Sequence, residues 1–405
     1  MTTAPPFLKR AVLKNYKSIA ACAVDFQPLT FLVGPNGSGK SNFLDSLRFT
    51  CDSLRTSLDR ALRDRGGINE VRRRSSGHPT HFGIRLEFHL PDLSGHYAFR
   101  IAARPKGSYE VQAEECVVHG ARGGRFLVEA GEVKHKSLGG SSGIVFPAAA
   151  KDRLYLVNAS GIAAFRPVYD ALSRMGFYNL NPDRIRDLQT PDSGELLARD
   201  GSNLSSVLRQ LAENAPARKE RIEDYLARVA PGISGVDVKV VGPKETVEFR
   251  QEVAGANEPW RFLAANMSDG TVRVLGILVA LLQSRNASQP DVHLIGIEEP
   301  EVALHPGASD LLLDALREAS ASTQVVVTTH SPDLIDNIDL GSEALLAVLS
   351  DKGATRIAPV DPASIEAVKN GLYTPGELLR LSQLEPDAAL FGERARLPLF
   401  DEAEY

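Results

Sequence analysis

The chain has 405 residues, 43% of them hydrophobic and 24% charged, which is the composition of an ordinary soluble globular protein with room for roughly two to three lobes and argues against extensive disorder. The longest apolar run, Val274 to Leu282, is too short to cross a bilayer, and the opening Met1-Thr2-Thr3-Ala4-Pro5-Pro6 lacks the regions of a signal peptide, so a cytoplasmic location is expected. A net charge of −5 excludes a generally nucleic-acid-binding surface, and three widely spaced cysteines, Cys22, Cys51 and Cys116, suggest neither a disulfide framework nor a zinc motif.

In chain order, Leu29 to Val33 is an apolar, β-branched run that predicts a buried strand, and Asn42 to Thr50 resumes with Phe43, Leu44 and Leu47 at helical spacing. Between them Gly34-Pro35-Asn36-Gly37-Ser38-Gly39-Lys40-Ser41 fits G-x-x-x-x-G-K-[ST] with nothing missing. The glycines let backbone N–H groups converge on a phosphate at a helix N-terminus, Lys40 offers a point charge to the β/γ oxygens, and the Ser41 hydroxyl, followed by Asn42, can ligate Mg²⁺. Next comes an arginine-rich patch, Arg60, Arg63, Arg65, Arg72, Arg73 and Arg74. It reads either as a phosphate-backbone contact or as a solvated helix face paired with Asp59, Asp64 and Glu70.

His81 to Leu90 alternates as Phe82, Ile84, Leu86 and Phe88, and Tyr97 to Ile101, Tyr109 to Val118, Arg125 to Val128 and Arg153 to Val157 resemble further short strands. The glycine clusters at 120–124 and 139–143 would form hairpin tips, giving an antiparallel meander. Val168 to Val229 reads as helical, and Val236 to Val241 and Thr246 to Val253 return to strand alternation. Asn266-Met267-Ser268-Asp269-Gly270-Thr271-Val272-Arg273 then opens a helical run, with Ser268 or Asp269 as a good N-cap.

The last third alternates strand and helix in the rhythm of a parallel sheet: Val292 to Ile297, Ala308 to Ala319, Gln324 to Thr329, Pro332 to Ile338. The first of these strands ends in Glu298-Glu299-Pro300-Glu301. In a P-loop protein Glu298 would hold Mg²⁺, through water, and Glu299 would accept the proton of the attacking water. His330, at the tip of the neighbouring strand, is placed to touch the γ-phosphate. The whole is α/β: a P-loop head with a mixed or parallel core sheet, an antiparallel β lobe and a helical insertion. Residues 1–80 and 256–360 are read as the two parts of the head, 81–165 as the β lobe, 166–255 as the helical insertion with its return strands, and 361–405 as a tail.

Ser268-Asp269-Gly270-Thr271 looks like the divergent signature of ABC-type ATPases, and the order P-loop, signature, acidic strand, switch histidine is that family's order. Leu13-Lys14-Asn15-Tyr16-Lys17-Ser18 looks like its opening strand and turn, and Glu298 to Pro306 is similar to its D-E-P-E-x-x-L-H-P segment. The chain therefore resembles the RecF/SMC-like ABC-type ATPases, within them the compact AAA-named, OLD-related group that lacks a Toprim domain and is found in bacterial defence and repair systems. Two positions depart from the pattern: Glu298 replaces the usual Asp, and Asp269 stands where transporters carry Gly. A Q-loop glutamine is not assigned.

The resemblance implies ATP hydrolysis with ATP and Mg²⁺ as cofactors, and a homodimer sandwiching two ATP. Lys40, Ser41, Glu298, Glu299 and His330 of one subunit would then face Ser268, Asp269, Gly270 and Thr271 of the other. It also implies a clamp or motor subunit whose effector, a nuclease or toxin, is a separate operon-encoded protein, with DNA as a possible ligand and no membrane partner. The alternatives are a nucleotide-dependent scaffold with little hydrolysis, a transporter nucleotide-binding subunit and, more remotely, a small-molecule kinase.

Overall fold

A computed structural model describes residues 7–75, 77, 79–139, 144–283, 292–302, 304, 306–338 and 344–401. Most of the glycine cluster at 139–143, and His305 of the acidic segment, lie outside the described residues. The strands in chain order are β1 (Leu8–Tyr16), β2 (Ile19–Asp25), β3 (Leu29–Val33), β4 (His81–Leu90), β5 (Leu93–Ala103), β6 (Tyr109–His119), β7 (Gly124–Glu129), β8 (Glu132–Leu138), β9 (Gly176–Tyr178), β10 (Ile233–Val241), β11 (Lys244–Gln251), β12 (Trp260–Leu263), β13 (Leu294–Glu298), β14 (Gln324–Thr329), β15 (Ala344–Asp351) and β16 (Ala354–Pro359). The chain divides into two compact units, Met1–Met175 with Leu340–Tyr405, and Gly176–Asp339.

In the first unit an antiparallel sheet runs β2-β1-β4-β5-β6-β7-β8. The expected meander is therefore continuous with the opening strand, since β1 pairs with β4, and the sheet crosses the boundary read near residue 80. Phe82, Ile84, Leu86 and Phe88 of β4 are buried, as their alternation demands, and Phe82 packs edge-on against Tyr16 and Phe49. The same unit holds β3, all five residues of which are buried, paired in parallel with β15, which pairs antiparallel with β16. A strand buried on both faces reads as a continuous apolar run, and Leu29 to Val33 does so.

One expected strand is a helix. Arg153 to Val157 does not extend; Tyr155–Ala159 is helical. The cause lies 41 residues away, in Glu114 of β6, whose carboxylate accepts the backbone N–H groups of Tyr155 (2.5 Å) and Leu156 (2.7 Å) and so satisfies the first free donors of a helix. The Tyr97 hydroxyl donates to the same carboxylate at 3.0 Å. Glu114 is fully buried, and burial pushes its pKa from 4.5 up to about 7, against the opposing pull of those three hydrogen bonds.

A folded-state pKa above the unfolded one stabilises the fold at low pH, and that contribution is lost as pH rises from about 4.5 to about 7. Replacing Glu114 by Gln should flatten the fall in stability over this window by roughly 1–3 kcal/mol, read from urea unfolding at pH 5 and pH 8. Equal pH dependence in the two proteins would contradict the assignment.

In the second unit β14, β13 and β9 form a parallel set in that order, and β10, β11 and β12 an antiparallel one. The three-residue strand β9 interrupts the stretch read as helical; the remainder contains the helices Pro182–Arg186, Leu204–Asn214 and Pro216–Val229. The helix Asp269–Leu282 is buried from Val272 to Leu282, so the longest apolar run is a core helix packed by neighbours on all sides. Among the described residues, no helix is long and apolar enough to cross a membrane.

Candidate functional site: a P-loop and an acidic strand edge

The first unit presents the P-loop at the carboxyl end of β3, where it leads into the helix Lys40–Arg55. Gly39 is the N-cap, at φ 107°. A Cβ there would lie 2.0 Å from Thr355 Oγ1, so only glycine fits both the backbone conformation and the space. Thr355, on β16, supports the loop from beneath: its hydroxyl donates to Ser38 O at 2.9 Å and lies 2.7 Å from Ser18 Oγ, which accepts from Asn42 Nδ2 at 2.7 Å. Asn42 thus faces the β1–β2 turn.

The side chain of Lys40 is buried and donates to Gly34 O (2.7 Å) and Pro35 O (3.0 Å), whereas Ser41 is exposed. Ser38 Oγ is buried with no hydrogen-bond partner among the described residues. A glycine cradle, an ammonium held by loop carbonyls, a buried unpartnered hydroxyl and the start of a 16-residue helix with no side-chain cap make a donor set that fits a polyphosphate.

The arginine patch is engaged elsewhere. Arg65 is almost fully buried against Asp45 (3.0 Å) and Asp52 (3.0 Å), while Arg63 pairs with Asp59, Arg74 with Glu70 and Arg60 with Asp64. Arg72 donates to Pro79 O and Arg73 to Ser18 O. The reading as a face paired with Asp59, Asp64 and Glu70 fits Arg60, Arg63 and Arg74, whereas Arg65 is a buried ion-pair partner and Arg72 and Arg73 bind backbone carbonyls. Asp45, which also binds Lys17, Arg48 and the Tyr16 hydroxyl, is held well below the usual carboxylate range by these cations against the cost of burial.

In the second unit the functional residues gather at the carboxyl edge of β9, β13 and β14, the edge where parallel sheets bind ligands. Ile297 lies opposite Tyr178 and Glu298 opposite Thr328, so Asn179, Glu299 and His330 follow at one edge. Asn179 went unnoticed because β9 did. His330 Nδ1 lies 3.3 Å from Glu299 Oε1. Glu301, also overlooked as a participant, orients the histidine: its Oε1 accepts from Thr329 Oγ1 (2.6 Å) and from the His330 backbone N–H (3.2 Å).

Glu299 adopts a left-handed backbone with φ 45°, a conformation costing about 1–3 kcal/mol in a residue with a side chain. Its N–H donates to Thr328 O at 2.9 Å, and its carbonyl accepts from Arg273 Nη2 at 3.1 Å. Burial lowers the pKa of Arg273, and Glu301 and Glu299 oppose that shift. Arg199 donates to Glu298 Oε1 at 2.7 Å, so the carboxylate that departs from the family pattern is paired with a cation.

The signature segment forms the start of the helix Asp269–Leu282, with Ser268 as N-cap; its hydroxyl accepts from Thr271 N at 3.3 Å and lies 2.9 Å from Thr271 Oγ1. Ser268 and Asp269 are exposed, and Gly270 and Thr271 are half-buried. Arg186 grips the turn through Met267 O (2.7 Å) and Asp269 Oδ1 (2.5 Å). The second departure, Asp269, is thereby matched by its own arginine, which offsets a negative charge at a helix start that would otherwise repel an anion. Among the described residues no group of three or more His, Cys, Asp or Glu could hold a metal ion. Ser41 in the first unit and Glu298 in the second each carry a hard oxygen donor of the type Mg²⁺ takes together with phosphates and water.

Residues 29–115 and 141–336 match the family described as "AAA domain, putative AbiEii toxin, Type IV TA system". A 45-residue stretch is 51% identical to the chromosome partition protein Smc of Halothermothrix orenii, a match covering 11% of this chain and 4% of that protein. Among solved structures, the chain is similar to an Smc head bound to the C-winged helix domain of ScpA (TM-score 0.57, 14% identity, 89% of this chain and 99% of that one). It is also similar to the Pyrococcus furiosus Smc head with an extended coiled coil bound to the C-terminal domain of ScpA (TM-score 0.55, 13% identity, 91% and 99%). At such identities the likeness is one of fold. The family match spans most of the chain and includes the P-loop, the signature and the acidic strand: the protein belongs to this AAA-domain family of ATPases, and its fold is similar to that of Smc heads.

Proposed function

We propose that the chain is a dimerising ATPase clamp, the motor subunit of a DNA-repair or anti-phage defence system whose effector is a separate protein. Two chains would enclose two ATP, each bound by Gly34 to Asn42 with Glu298, Glu299 and His330 of one copy and capped by Ser268 to Thr271 of the other. The observation that carries this reading is the 3.3 Å approach, within one unit, of a strained Glu299 to His330, beside a signature helix whose start is exposed and polar. A polar, half-capped helix start with free N–H groups is a ready anion site, and its exposure suits a phosphate presented by a second copy.

Each residue then has a defined task. Lys40 and the loop N–H groups would hold the β- and γ-phosphates, and Ser41 and Glu298 would hold Mg²⁺, which when bound would supply charge neutralisation at the phosphates. Glu299 accepts a proton from the attacking water, and His330, fixed by Glu301, donates toward the γ-phosphate. Arg199, which donates to Glu298 Oε1, would have to release that carboxylate for it to serve as a ligand.

The family's description names a putative toxin of a Type IV TA system, and the similar Smc heads are described in complex with ScpA domains; both support a role beside a partner protein. Phosphate release measured with and without DNA ends of defined structure tests the clamp reading. A several-fold stimulation by one end structure is expected, and a rate indifferent to every DNA tried would turn the search to a protein ligand.

A further inference from the structure

Among the described residues, Arg273 ties the signature helix to the backbone of Glu299. It lies just over one turn after Ser268, is 8% exposed, and uses both terminal nitrogens on carbonyls of other segments: Nη1 donates to Leu180 O at 2.6 Å and Nη2 to Glu299 O at 3.1 Å. Its Nε has no hydrogen-bond partner among the described residues. A buried guanidinium with a fixed fork is a rigid strut, and a charge-assisted hydrogen bond to a carbonyl is among the stronger neutral-to-ion contacts.

The carbonyl it holds belongs to the residue with the left-handed backbone. Glu299 is pinned on its N–H side by Thr328 O, and its carbonyl is shared between Arg273 and Val302 N (3.2 Å). A strained conformation persists only where surrounding contacts fix both of its peptide planes, and Arg273 supplies the side-chain contact on the second plane. Without Arg273 that carbonyl would keep, among the described residues, only the Val302 N–H.

We propose that Arg273 is a positioning residue for hydrolysis: it couples the signature helix to the turn that aims Glu299. This rests on Glu299 acting as the base. The physical consequence is that a shift of the signature helix, when its start meets a phosphate, is passed to the base of the same chain. Phosphate contact at one place thereby sets proton transfer at another, through a strut whose length and planarity a lysine lacks.

The test is a double-mutant cycle with Arg273→Met and Glu299→Gln, scored by kcat, by KM for ATP and by nucleotide affinity. Arg273→Met should lower kcat about 10- to 100-fold while KM and ATP affinity stay within about twofold, as expected for a misaimed catalytic group. Placed on Glu299→Gln it should cause no further loss, because the group it aims is already gone. Multiplying effects in the double variant would overturn the proposal, as would an unchanged kcat in folded Arg273→Met, or a KM that rises as steeply as kcat falls. If Arg273→Met does not fold, Arg273→Lys carries the test: it keeps the charge but reaches one carbonyl, and a smaller drop in kcat that again vanishes in the Glu299→Gln background is expected. Failure of the base reading is separately visible, since Glu299→Gln alone would then leave kcat unchanged.

Discussion

Glu299→Gln should reduce steady-state ATP hydrolysis by about 10²- to 10⁴-fold, the usual contribution of a positioned general base, while leaving ATP affinity within a few-fold of wild type. The substitution keeps the shape of the side chain and its reach toward His330, 3.3 Å away, but an amide cannot take the proton of the attacking water. Because the left-handed backbone is held by Thr328 and Arg273, the turn itself should survive the change. ATP should then remain bound and uncleaved, and the two-chain state should accumulate on a sizing column run in ATP and Mg²⁺. Hydrolysis at the wild-type rate would remove Glu299 from the chemistry and leave the nucleotide as an assembly ligand.

Lys40→Ala should weaken ATP binding by roughly 10- to 100-fold, the effect of losing one charge-assisted hydrogen bond to a phosphate. Its ammonium rests on Gly34 O and Pro35 O, so it is pre-placed inside the loop, and binding requires a change of partner rather than an ordering of a free chain. The loop should keep its shape without the lysine, since Thr355 supports it through Ser38 O and Gly39 is confined by the same residue. A titration with a fluorescent ATP analogue reads the effect directly. Unchanged affinity would count against the loop as the nucleotide cradle.

The parts of this arrangement that could be read from the sequence are those whose determinants are contiguous. Gly34 to Ser41 carries its spacing in eight residues, and Leu29 to Val33 carries burial in five. The acidic strand and the histidine strand are likewise uninterrupted apolar runs with a polar tip, and β13 and β14 stand there. What could not be read depends on partners distant in the chain. Glu114 converts an apparent strand at residue 155 into a helix from 41 residues away, and Arg199 reaches Glu298 across 99.

The same holds for the departures from the family pattern. Asp269 and Glu298 depart from the pattern, yet each has an arginine beside it, Arg186 and Arg199. No local pattern marks either arginine, because an ion pair between segments leaves no period in the sequence. The strand β9 was hidden for another reason: three residues are too few to show alternation, and its neighbours are helical. Asn179 and the strain at Glu299 became visible only with the strand register and the backbone angles in place.

The central claim is that each working site needs two copies of the chain. Lys40→Ala removes the phosphate cradle of a site, and Ser268→Arg blocks the cap that a copy offers to its partner, so each variant alone should be inactive. When the two are mixed in equal amounts, a dimer containing one of each has a single site with both an intact Lys40 and an intact Ser268. Random pairing should then restore about a quarter of the wild-type rate of phosphate release. A mixture no faster than the mean of its two inactive parents would contradict the shared site and place all the chemistry within one chain.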